Sequence, residues 1–542
     1  MAQWTRRDAM AAVMAALPLA ADAEAGPETP PRGGKPDEFD AVIVGGGLGG
    51  LSAAAAFARQ GYRALVVERH DRPGGYATAF RRPGGFTFDV SLHSMGVGRR
   101  NGVYNLLPGF PEVTEVEFVP HPHLYRVLFP GHDIVVPQRD VTGYAATLGR
   151  LFPEERAGIA GLLGEIRALG GELGKLGRAG GKPDPERCAA DYPLLARAAG
   201  ETWGRMAARH VRDAKLRAIV SALWPYFGLP PARLSTFYYA LPTLGYLEGG
   251  GYYPKGRSQT ISDALVKLIQ GRGGQVLLRT PVERILVKDG AAYGVRCGGG
   301  REFRARAVVS NASAWHTFHD LLEDSRAAAE YREWMQGFQA SLSSFQVFLG
   351  LKKDLVGQLG IRDAEIFFEP GYDLEATYEA ARRADMERCW LGATLYDNLF
   401  PGYSPQGKNT VNLLALQGFE HWEPFERDYR AGRKAAYRAE KEEMAAALIR
   451  RAEETLLPGL SEAIEVKEIG TPLTNVRYTG NHRGAIYGWD QTPENSGARR
   501  VGHATTVKNL YLAGAWTRPG HGYGGVIQSG LECCGEIVRG WR

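Results

Sequence analysis

The sequence predicts an α/β protein built from a parallel-sheet domain with a second, α+β domain inserted into it. Three observations predict this. A short apolar run near residue 40 passes into a glycine-rich turn and an alanine-rich helix. A second apolar run and glycine-rich turn lie within the last 35 residues. Between them are two long stretches of helix-like and strand-like patterning. The chain has 542 residues, enough for two or three domains. Hydrophobic residues make up 44% and charged residues 23%, a globular balance that excludes disorder across the chain and collagen-like repeats. With 65 basic and 60 acidic residues spread along the chain, the net charge of +5 is too small and diffuse to point to nucleic acid. Five cysteines show no CxxC spacing, so neither a zinc site, a dithiol redox pair nor a disulfide scaffold is read from them.

The first residues read as an address. Arg6 and Arg7 precede an uncharged stretch from Ala9 to Ala21, and Ala21-Asp22-Ala23 fits a small-x-small cleavage site. Residues 1–23 are therefore expected to be an export signal, resembling the twin-arginine type although Ala9 stands where a larger apolar residue is usual. The protein is then exported to the bacterial periplasm or its membrane face. Residues 24–37, with Pro27, Pro30, Pro31 and Pro36, read as a linker. Ala41–Ala58 is uncharged for 18 residues but carries five glycines in Gly45–Gly50, so a strand, turn and helix are expected there and no internal membrane span.

Asp40–Val44 has the apolar run of a buried parallel strand. It leads into Gly45-x-Gly47-x-x-Gly50, then the helix from Leu51, then the apolar run Ala64–Val67 ending at Glu68. Gly45 makes the tight turn. Gly47 lets the backbone approach a pyrophosphate, and Gly50 lets the helix pack against the strand. The helix N-terminus offers free N–H groups to phosphates, and Glu68 can accept hydrogen bonds from ribose hydroxyls. This is the dinucleotide-binding pattern of a Rossmann domain. A second glycine pair, Gly74-Gly75, follows the acid, with Arg69 between them. At the other end Asn509–Ala513 reads as a strand into Gly514-Ala515, and Gly520–Gly525, Val526 and Ile527 lead into a last helix. Such a segment sets backbone N–H groups and a helix N-terminus beside a flavin ring. Together the two ends indicate FAD and a glutathione-reductase-like fold. No second GxGxxG follows a strand, which argues against a separate NAD(P)H domain.

With these motifs the chain resembles the FAD-dependent phytoene desaturase, carotenoid cis–trans isomerase and retinol saturase family over most of residues 38–542. The pieces are Val42–Gly75, Gly85–His93, Gly250–Gly256, Val282–Ile285, Arg477–Gly488 and Leu512–Gly530. The resemblance implies that the strand at Val282 meets the adenine through its backbone and that Gly85–His93 passes under the flavin. Tyr76 stands where many relatives have Arg, and Ala515-Trp516 where they have an acidic residue. The FAD domain is expected from 38–105, 250–320 and 500–542, and the substrate domain from 106–249 and 321–499. In the insertions, Ala157–Lys175 and Lys434–Leu457 read as helices, and Ser344–Gly350, Trp390–Tyr396 and Thr410–Gln417 as strands. The aromatic stretch Leu223–Tyr253 reads as packing, or as the wall of an apolar tunnel or a membrane-dipping surface.

The implied activity is an FAD-dependent oxidoreductase. It acts on C–C and C=C bonds of a hydrophobic polyene or unsaturated lipid by hydride transfer to or from flavin N5, in desaturation, saturation or isomerisation. The alternatives are a flavin amine oxidase that releases hydrogen peroxide and a non-enzymatic flavin or lipid carrier. His93, Lys255, His521 and Tyr523 are the candidate catalytic residues; no metal ligands are expected. The partners are a hydrophobic small molecule or lipid, a peripheral membrane contact and an electron acceptor.

Overall fold

The computed structural model describes residues 36–100, 103–179, 187–323 and 325–542. The export signal, and all but the last two residues of the linker, lie outside the described residues.

The first sheet is built from the two ends of the chain and one middle segment. Its strands run in the order Gln275–Leu277, Ala64–Val67, Glu38–Val44, Glu302–Ser310, Ala291–Cys297 and Val282–Lys288. Leu510–Leu512 pairs with the far half of Glu302–Ser310. The central pairings are parallel, with Val42 opposite both Leu65 and Val308. The last two strands are an antiparallel ribbon. Ala41–Val44 has apolar residues on both faces because both faces are covered. On one side lie the helices Leu48–Arg59, Gln259–Gly271 and Tyr523–Trp541; on the other lie residues around Phe318, Trp489 and Trp516. Every residue of Leu48–Arg59 except Arg59 is buried. Its alanines leave room for the C-terminal helix: a Cβ on Gly530 would lie 2.3 Å from the Gly49 carbonyl oxygen.

The second sheet also has seven strands, ordered Ile464–Gly470, Ser343–Leu351, Asn409–Gln417, Leu391–Thr394, Glu365–Phe368, Tyr125–Phe129 and His132–Val136. All its pairings are antiparallel except Glu365–Phe368 with Tyr125–Phe129. Helices Arg156–Arg178, Thr236–Gly249 and Ala435–Thr455 pack on it and complete the largest apolar core. The helices and strands expected in the insertions are all present, within a few residues of their expected ends. Among the described residues no helix is long and apolar enough to cross a membrane. All five cysteines are unpaired and buried.

Candidate flavin site and adjoining cavity

The two glycine motifs meet in space. Gly45 turns with φ 94°, which only glycine adopts without strain. The cradle has no room for side chains. A Cβ on Gly50 would lie 2.2 Å from the Gly45 carbonyl oxygen, and one on Gly49 2.8 Å from Gly514 Cα. Gly74 donates its N–H to the Gly46 carbonyl at 2.7 Å, and Gly75 packs over Gly47. Glu68, at the end of its strand, is 6% exposed. Its carboxylate accepts N–H bonds from Gly46 at 2.7 Å and His70 at 2.8 Å. Arg69 donates to the Arg477 carbonyl. The C-terminal helix starts at Tyr523, and Gly522–Val526 place its N-terminus in the same cavity.

That cavity measures about 870 Å³. It runs from Glu68, Arg69 and Val282, past Gly45, Gly47, Gly74, Gly75, Gly514 and Ala515, to Gly525 and Val526. Gly50 and Ile527 do not line it: Gly50 sits at the helix–strand contact, and Ile527 is buried in the core behind. Asn311, which sequence reasoning missed, lies between Gly45, Gly47, Gly49 and Gly514 at the end of Glu302–Ser310. A single polar residue after an apolar strand carries no local signal of this role.

Beyond the glycines the cavity enters an arm walled by Leu92, Met95, Tyr226, Phe227, Tyr246 and Ile486. The aromatic stretch is thus divided between this wall and the core, where Trp224 and Tyr239 are fully buried. Exposed Gly245 lines the cavity, so the arm reaches the surface along helix Thr236–Gly249.

Three of the four proposed catalytic residues line the cavity. His93 is half-buried against Tyr226, with ring centroids 5.9 Å apart, and its buried Nδ1 has no partner. Burial pushes its imidazole down to about 4, so it is neutral at neutral pH. His521 has both nitrogens engaged: Nε2 donates to the Tyr226 carbonyl at 2.8 Å, and Nδ1 accepts from Gln491. Burial holds it down to about 3. It therefore fixes the wall and has no free nitrogen to protonate a substrate, which corrects its expected role. The Tyr523 hydroxyl donates to the Tyr76 carbonyl at 3.3 Å and lies 3.3 Å from Ser91 Oγ. Lys255 is not in the cavity. It pairs with Glu117 at 2.9 Å in solvent, just past the end of the buried strand Tyr252–Pro254, where the chain reaches the surface. Tyr253 and Ser258 both bind buried Asp89, which ties Gly250–Gly256 to Gly85–His93.

The residues present fit FAD: a glycine cradle with no room for Cβ atoms, an acid at the ribose position, a helix N-terminus, and the unpartnered buried hydroxyl of Tyr76 facing the same space. Fold and site together define an FAD-binding oxidoreductase with a Rossmann core. The comparisons are narrower. The chain belongs to the family described as flavin-containing amine oxidoreductase, whose model matches residues 48–538.

The chain is 26% identical over 525 residues to a chloroplastic prolycopene isomerase of Arabidopsis thaliana, covering 94% of this chain and 84% of that one. It is 27% identical to the all-trans-retinol 13,14-reductase of Danio rerio, covering 93% and 86%. With the neurosporene-forming phytoene desaturase of Rhodobacter capsulatus it shares 30% identity over 90% of this chain and 92% of that one. Among solved structures, an oxidoreductase from Methanosarcina mazei matches with a TM-score of 0.60 at 18% identity, covering 92% of this chain and 99% of that one. Putrescine oxidase bound to putrescine matches at 0.59 and 14% identity, covering 93% and 99%. At these identities the solved structures share the fold.

Proposed function

We propose that this FAD oxidoreductase desaturates, saturates or isomerises C–C and C=C bonds of a hydrophobic polyene or unsaturated lipid. The carrying observation is the cavity itself. Its arm is walled by aromatic and aliphatic side chains, and Glu68, at the ribose end, is the one carboxylate among all its lining residues. A substrate ammonium would find no counter-ion in the arm, whereas a polyene needs apolar wall and shape. The polyene and retinoid relatives support the same reading over the amine-oxidase alternative.

Bound FAD supplies hydride exchange with the substrate. The chain's own groups align the polyene and exclude water: Tyr226, Phe227 and Tyr246 form the wall together with His521, which holds the Tyr226 carbonyl and is itself held by Gln491. On this reading the lipid enters where exposed Gly245 opens the arm to the surface, and a peripheral membrane contact at that mouth would deliver it. Reoxidation in the desaturase direction falls to oxygen, a quinone or a protein acceptor. Export rests on Arg6-Arg7 and the uncharged stretch that follows; it predicts that R6K/R7K holds the protein in the cytoplasm on cell fractionation.

The test is an anaerobic titration of the FAD holoprotein with phytoene, all-trans-retinol and putrescine, followed by flavin absorbance, with peroxide assayed after air is admitted to each sample. The reading expects phytoene to bleach the oxidised protein or the reduced protein to convert retinol, with no peroxide from putrescine. Bleaching and peroxide with putrescine alone would replace it with the amine-oxidase reading.

A further inference from the structure

The arm's reaction moves a proton as well as a hydride, and few of its lining groups can handle one. The hydroxyls of Tyr238, Tyr246 and Tyr487 donate to the carbonyls of Pro519, Ser94 and Pro225, which neither supply nor store a proton. Tyr523 and His521 also donate to carbonyls. Tyr226 differs. Its hydroxyl lies 2.8 Å from Glu365 Oε2, a group that can hold a proton and release it.

Glu365 opens the strand Glu365–Phe368, directly behind the wall, and is 2% exposed. Its second oxygen, Oε1, is buried with no partner, as is the hydroxyl of Thr394 opposite it in register. The ionisable groups that face this carboxyl and Tyr226 are the hydroxyls of Tyr246 and Tyr396 and the imidazoles of His93, against the Tyr226 ring, and His521, on its carbonyl, both held neutral by burial; among the described residues no Lys or Arg acts on Glu365. A buried carboxylate with one hydrogen bond and no cation is costly, so the acid is held neutral and carries its proton.

We propose that Tyr226 is a catalytic proton donor and acceptor of the arm, and that Glu365, the positioning residue behind it, stores the proton it exchanges. The proposal rests on the polyene reading above. In saturation, one carbon of the C=C bond receives hydride from the reduced flavin. At the other carbon the Tyr226 O–H bond breaks and a C–H bond forms. The Glu365 O–H proton passes to the phenolate, leaving a carboxylate that water reprotonates between turnovers. Desaturation runs the same transfers backwards: hydride leaves to oxidised flavin and the proton passes through Tyr226 to Glu365.

The test uses holoprotein reduced with dithionite, all-trans-retinol in micelles, and the variants Y226F and E365Q. Y226F keeps the ring against His93, and E365Q keeps an oxygen for the Tyr226 hydroxyl. Wild-type saturation should fall as pH rises through about 8 and should show a solvent isotope effect in D2O. Each variant should lose on the order of 100-fold in rate, and E365Q should lose the pH dependence. Variants with the wild-type rate and profile overturn the relay. A readout independent of turnover is the infrared band of a protonated carboxyl at pH 7. Glu369, also pushed up to about 8, contributes to this band in both proteins, so the Glu365 part is read in the wild-type-minus-E365Q difference, which should shift when retinol fills the cavity; no difference at pH 7 overturns the relay. Retinol that leaves the flavin spectrum unperturbed counts against the polyene reading, and the infrared band still decides the state of Glu365.

Discussion

Glu365→Gln should change how stability depends on pH, and the structure sets the size. Burial pushes the Glu365 carboxyl from its ordinary 4.5 to about 8, opposed only by the Tyr226 hydrogen bond. The folded protein therefore keeps a proton that the unfolded chain loses above pH 4.5. Stability from this site is greatest below pH 4.5, falls as pH rises and is flat above about 8. That window of about 3.5 pH units, at about 1.36 kcal/mol each, is a ceiling of about 5 kcal/mol. At about 2.1 cal/mol/K per residue, 542 residues give an unfolding entropy of about 1.1 kcal/mol/K, so the ceiling is about 4 °C in Tm. Glutamine removes the titration and keeps the shape. Buried Glu369, bonded to Trp224 Nε1 at 2.7 Å and also pushed up to about 8, is present in both proteins and cancels. The assay is the Tm of holoprotein from pH 5 to 9. The E365Q-minus-wild-type difference should grow toward alkaline pH by up to about 4 °C. Parallel curves would mean that Glu365 does not hold its proton, and the desolvation argument would fail.

Gly50→Ala should yield protein with little bound FAD and a lowered Tm, since its Cβ would lie 2.2 Å from a backbone oxygen and the helix must shift, at about 1–3 kcal/mol; flavin absorbance per protein reads it. Glu68→Gln should weaken FAD binding roughly 10- to 100-fold, the loss of a charge-assisted hydrogen bond of about 1.5–3 kcal/mol, measured by flavin release on dilution. Gly245→Phe places a ring at the exposed mouth of the arm and should raise KM for phytoene with FAD content unchanged. Lys255→Ala should leave FAD content and turnover as they are, since an exposed ion pair contributes about 0–1 kcal/mol.

The nucleotide cradle was legible because each of its parts is local. A strand, three spaced glycines, a helix and an acid at the end of the next strand are read within 29 residues, Asp40 to Glu68. The same holds for the insertions' helices and strands, whose periodicity is their own. The wall of the arm was legible as composition, since aromatic density marks burial but not which side of the wall a ring faces. Lys255 shows the limit: it directly follows the wholly buried strand Tyr252–Pro254, and only the packed fold shows that the chain has reached solvent there. His521 shows another, because its two partners, Gln491 and Tyr226, are 30 and 295 residues away.

Short-range spacing and composition were enough to read the fold class, the flavin cradle and the apolar character of the cavity wall. The tertiary structure alone decided that Asn311 joins the cradle, that Lys255 leaves the site, and that Glu365 stands behind Tyr226. The last pairing joins residues 139 apart. The proton affinity of such a carboxyl is set by the water that packing removes, and no stretch of sequence records that.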